Sequence, residues 1–146
     1  MRLIGTLSIG FLLAAAITIA QAPAPEAPAP VGTVADVMVS MTYPAANEIL
    51  LSAYRGGPKD EKEWVALQRS AVLLAESGNA LTLRGRARDQ GEWMKDARIL
   101  VDVGGNAYKA ARAKDAGALL TLSEELNASC ITCHKQYRPN VHPRQQ

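Results

Sequence analysis

The sequence predicts an all-α protein, an antiparallel four-helix bundle, and three observations carry that reading. Four stretches repeat apolar residues at spacings of three and four, short connections rich in Gly, Pro or charge separate them, and no run alternates as a strand would. Composition agrees. Apolar residues make up 48% and charged residues 21% of 146, which suits one ordinary domain and excludes full-length disorder. An aromatic share of 5% is low for a β-sandwich, which would need more β-branched and aromatic side chains. Sixteen basic and 14 acidic residues leave a net +2, too small a surplus to hold a nucleic acid.

The first predicted helix starts at Thr33, a suitable N-cap, and places Val34, Val37, Met38, Met41 and Ala45 on one face. Pro44 falls within it and predicts a kink or short break near Tyr43. Arg55 to Asp60 (RGGPKD) is a stop. The second helix begins at Asp60, which has capping-box spacing with Glu63, and aligns Trp64, Leu67, Ala71, Leu74, Gly78 and Leu81. Arg84, Arg86 and Arg88 read as a solvated loop, or a cluster that meets an acidic partner. The third helix starts near Asp89 and aligns Trp93, Ala97, Leu100, Gly104, Ala107 and Ala111; Gly104 and Gly105 weaken it or admit a close neighbour. The fourth starts near Asp115, carries Leu119, Leu122, Leu126, Cys130, Cys133 and Tyr137 in register, and ends before Pro139. Both Trp64 and Trp93 are expected in the core.

Ahead of the bundle, residues 1–20 are expected to be a signal peptide. Arg2 precedes an apolar run from Leu3 to Ala20, and small residues suit cleavage after Ala20. An uncleaved membrane anchor is the alternative, because about eighteen apolar residues can just span a bilayer. Either way the remainder is expected to be exported, in the periplasm. Residues 21–32 include the Ala/Pro alternation QAPAPEAPAP, a semi-rigid tether without a core. The bundle is expected over 33–138 and a tail over 139–146.

The chemistry is concentrated in Cys130-Ile131-Thr132-Cys133-His134, the Cys-x-x-Cys-His pattern of c-type haem attachment. Two thiols three residues apart can each add to one haem vinyl group, and the next imidazole can reach the iron from the same side. Helical steps of three and four keep Cys130, Cys133 and His134 on one face, below Leu119, Leu122 and Leu126. Competing readings are weaker. A thioredoxin-like pair needs a βαβ setting that the pattern lacks. A zinc site lacks a fourth ligand unless His142, in the proline-flanked tail, supplies it. A disulfide across two residues closes too small a loop to stabilise much. One covalent haem c is the expected cofactor.

On these residues the chain resembles the class II cytochromes c, the cytochrome c′ family, and most nearly its low-spin, methionine-ligated members. The motif sits on the last of four helices, with His134 twelve residues before the last residue, and the resemblance covers the chain from about Val31 onward. The basic residue four positions after the histidine is Arg138, which the resemblance makes a haem neighbour; a cation at a helix C-terminus explains it equally simply. In the family the sixth iron position faces the first helix, and it is either covered by an apolar side chain, leaving iron open to gases, or filled by methionine. The stretch Val37-Met38-Val39-Ser40-Met41 reproduces the family's spacing of two methionines, so Met38 is the implied sixth ligand, with Met41 the alternative. The family's usual arginine before this position is missing, and both methionines could instead be core fillers.

The resemblance therefore implies an electron-transfer haem protein with His/Met axial ligation, and not an enzyme. No catalytic base or nucleophile assembles in the sequence, and a peroxidase would need a distal histidine that His142 is badly placed to provide. The alternative is a five-coordinate haem protein that binds nitric oxide or carbon monoxide. Expected partners are redox proteins meeting the exposed haem edge. Family members often pair through their first two helices, which implies a homodimer as one option, and a membrane is involved only if the leader stays uncleaved.

Overall fold

The computed structural model describes residues 28–140. The leader, residues 21–27 of the tether, and residues 141–146 of the tail, His142 among them, lie outside the described residues. Helices account for most of the described chain, and no strand occurs among the described residues. None of the described helices is long and apolar enough to cross a membrane.

The first predicted helix is three continuous pieces: α1 (Val34–Val37), a π-helical turn (Met38–Thr42) and α2 (Tyr43–Tyr54). Thr33 caps it as expected, and the box is reciprocal. Its hydroxyl accepts from the Asp36 amide at 3.2 Å, while the Asp36 carboxylate accepts from the Thr33 amide at 2.7 Å. The break expected near Tyr43 does not occur. Pro44 has no amide hydrogen to donate one turn back, and the ladder widens just before it: the Tyr43 amide reaches the Met38 carbonyl, five residues back. The irregularity is thus moved upstream to Met38–Thr42, and the helix runs on.

Gly56 and Gly57 end this helix with φ of 81° and 93°, in the left-handed region that an L side chain seldom adopts. The second predicted helix is α3 (Glu61–Leu81), the third α4 (Glu92–Ala113) and the fourth α5 (Ala116–Tyr137). Asp60 caps α3 by accepting from the Glu63 amide at 2.9 Å, but Glu63 answers one residue early. Its carboxylate accepts from the Lys59 amide at 2.8 Å instead of from Asp60. Asp115 caps α5 in the same way, accepting from the Ala118 amide at 2.9 Å.

Packing runs α2 against α3 and α5, and α4 against α3 and α5, so the four long helices enclose one core. All six predicted face residues of α3 and all six of α4 are buried. Two glycines set how closely these helices approach. A Cβ on Gly104 would lie 2.6 Å from the Ala75 amide nitrogen, and one on Gly78 would lie 2.8 Å from the Ala97 carbonyl oxygen. Gly105, one position on, faces open space. Along α5 the buried residues are Leu119, Ser123 and Leu126, with Leu122 only half-buried; Ser123 satisfies its hydroxyl by donating to the Leu120 carbonyl at 2.7 Å.

The arginine loop is solvated only in part. Arg84 and Arg88 are exposed, but Arg86 is 7% exposed. Its guanidinium donates to the carbonyls of Val31, Gly32 and Ala80. Arg86 therefore ties the segment ahead of α1 to the α3–α4 connection, and a buried guanidinium is tolerated because carbonyls meet it on several sides.

Candidate haem-binding cavity

A cavity of about 360 Å³ opens between the first helix, α4 and α5. The π turn and α2 supply two adjacent rows at four-residue spacing, Met38-Thr42-Ala46-Leu50 and Val39-Tyr43-Asn47. Trp93, Asp96, Ala97 and Leu100 come from α4, and Leu81 closes the wall from the end of α3. Small side chains at Ala46 and Ala97 keep the interior open. The facing wall is the predicted motif: Cys130, Cys133 and His134 all border the cavity, with Arg138 at its edge. Volume and apolar walls with few polar groups match a small-molecule site, which typically spans about 300–1,000 Å³.

Every sequence-predicted site residue among those described thus reaches this region, except one. Met38 borders the cavity, whereas Met41 packs against the core and takes no part in its wall. A second concavity lies beside the first and shares Met38, Trp93, Cys133, His134 and Arg138 with it, adding Val34 and Ala35 from α1 and Arg88 from the loop. The segment around Cys133 and His134 is therefore approached from two sides.

Both cysteines are unpaired and half-buried. Burial pushes the Cys130 thiol up, and it pushes Cys133 up to about 12, with the neighbouring Asp96 charge adding to the effect. Both therefore remain thiols at neutral pH. A dithiol–disulfide exchange site works the opposite way, through a depressed thiol pKa. Among the described residues no group of three or more His, Cys, Asp or Glu side chains is placed to hold a metal ion.

No family model, curated protein or solved structure matches the chain.

Three contributors escaped the sequence reading. Trp93 is buried as expected, but it is also cavity wall, and its indole N–H donates to the Leu81 carbonyl at 2.9 Å. Asp96 lies on α4 just beside the buried Trp93/Ala97 stripe, where periodicity reads a charged residue as solvated surface. Tyr137 was placed on the core face. In addition its hydroxyl donates to the Asp89 carboxylate and its ring meets Trp93 edge-on, with centroids 4.9 Å apart and planes at 83°. The one available signal for Asp96 was its position next to Ala97, on the border of the apolar stripe.

Proposed function

We propose that this protein is an exported c-type cytochrome of the cytochrome c′ type, a one-electron carrier on an antiparallel four-helix bundle. The observation that carries the reading is convergence: Cys130, Cys133 and His134 meet Met38 around one apolar cavity. A haem held there supplies a reversible one-electron change at its iron. The short connections after α2 and α4 favour successive helices running in opposite directions.

Each residue has a defined task in this reading. The Cys130 and Cys133 thiols would hold the group by each adding across one vinyl, sulfur to one carbon and hydrogen to the other, giving two thioethers and no by-product. His134 offers an imidazole nitrogen on the α5 side, and Met38 offers its thioether sulfur from the first helix. The chain would need to contribute only His134 and Met38 to the iron, so this reading requires no cluster of three protein ligands. Leu50, Leu81, Leu100 and Trp93 exclude water, and Arg138 sits where it can neighbour the group. Nothing in this assignment calls for a catalytic acid, base or nucleophile. The reading places the protein in the periplasm behind a cleaved leader, serving redox partner proteins.

The test is the intact mass and the reduced-minus-oxidised spectrum of protein matured in a host competent for cytochrome c assembly. A mass increase of one haem with a low-spin cytochrome spectrum supports the proposal. Colourless protein at polypeptide mass, with both thiols free, overturns it.

A further inference from the structure

Asp96 is the single acidic side chain on the cavity wall among the described residues. It is half-buried, one residue before the buried Ala97 of α4, and it borders the same cavity as Cys130, Cys133 and His134 of α5. No lysine or arginine among the described residues forms an ion pair with it. Core packing gives no reason for an acid here, since Trp93, Ala97 and Leu100 already fill the buried stripe of this helix segment. A charge bordering an apolar cavity is weakly screened and so acts strongly on whatever the cavity holds.

We propose that Asp96 sets the reduction potential of the haem site, its negative charge beside Cys133 favouring the oxidised form of the iron and so holding the potential down. This rests on the haem reading above. The oxidised centre carries one more positive charge than the reduced one, so a fixed anion stabilises it selectively. The location beside Cys133 matters, because that sulfur is the chain's covalent link to the porphyrin edge. Asp96 is accordingly a tuning residue that acts through space, and neither an iron ligand nor a haem attachment point.

The experiment measures midpoint potential and spectrum in the full-length, haem-loaded wild type, Asp96→Asn, Asp96→Glu and Asp102→Asn. Asp96→Asn preserves shape and removes the charge, and it should raise the potential by about 59 mV, a tenfold change for a one-electron couple. Its low-spin spectrum should stay unchanged. Asp96→Glu should stay near the wild type. Asp102→Asn, which removes an exposed charge of the same helix away from the cavity, should leave the potential in place. Loaded Asp96→Asn protein with the wild-type potential overturns the proposal, whatever its thermal stability, as does an equal rise in Asp102→Asn. A colourless wild type overturns the haem reading itself, and this inference falls with it; the two failures are thus told apart by the wild type alone.

Discussion

Tyr137, in the last turn of α5, donates its hydroxyl hydrogen to the carboxylate of Asp89, which stands just ahead of α4. The other oxygen of that carboxylate accepts from the Gly91 and Trp93 amides at 2.8 and 3.1 Å. One side chain therefore starts α4 and holds the end of α5, and the Trp93 ring completes the clamp against Tyr137. Since His134 precedes Tyr137 by less than one turn, the clamp also fixes the segment that carries the motif.

The clamp makes stability depend on pH at both extremes. The hydrogen bond from Tyr137 is the main cause holding Asp89 below its ordinary 3.8, so its contribution is present above that value and is lost as pH falls through the depressed one. Burial first, and Asp89 second, push Tyr137 up to about 12, so that contribution is complete below 10 and is lost between 10 and 12. Thermal melts across pH should show both losses in the wild type; Tyr137→Phe should remove the alkaline loss and reduce the acid one, which the Gly91 and Trp93 amides still sustain in part, while keeping the Trp93 contact.

Adjacent glycines should respond oppositely to alanine. Gly104→Ala forces a Cβ against backbone atoms of Ala71 and Ala75, which should cost roughly 1–3 kcal/mol. Gly105→Ala meets nothing within 4 Å and relieves a helix-interior glycine, and it should stabilise by about 0.5–1 kcal/mol. Urea unfolding of both variants measures the contrast.

Among the loop arginines, one is structural. Arg86→Met strips the hydrogen-bond donors from the carbonyls of Val31, Gly32 and Ala80, and should destabilise by roughly 1–3 kcal/mol. Amide exchange at Thr33 and Val34 should speed up with it. Arg84→Gln, at an exposed position, should stay within about 0.5 kcal/mol of the wild type.

Met38 and Met41 should separate cleanly in haem-loaded protein. Met38→Ala should turn the spectrum high-spin and admit carbon monoxide, whereas Met41→Ala should stay low-spin and lose stability through a core cavity. A low-spin Met38→Ala spectrum would move the sixth ligand elsewhere. A wild type that is high-spin and binds gases would favour the gas-binding alternative.

Much of the fold was legible along the chain because helical burial is periodic: the stripes from Trp64 to Leu81 and from Trp93 to Ala111 are local patterns that tertiary packing merely confirmed. Thr33, Asp60 and Asp115 announced helix starts for a similarly local reason, a side chain reaching an amide two or three positions on. Cys130, Cys133 and His134 shared a face by spacing alone. What periodicity cannot carry is contact between distant segments. Whether Met38 or Met41 turned toward the motif depended on a π turn that shifts helical register, and the turn itself answers to Pro44 two residues beyond it. Arg86 looked solvated until the carbonyls of Val31 and Gly32, more than fifty residues away, came within its reach. Asp96 and the Asp89–Tyr137 pair belong to the same class: a charge acquires its role from what the fold brings beside it, and that neighbour is written nowhere near it in the chain.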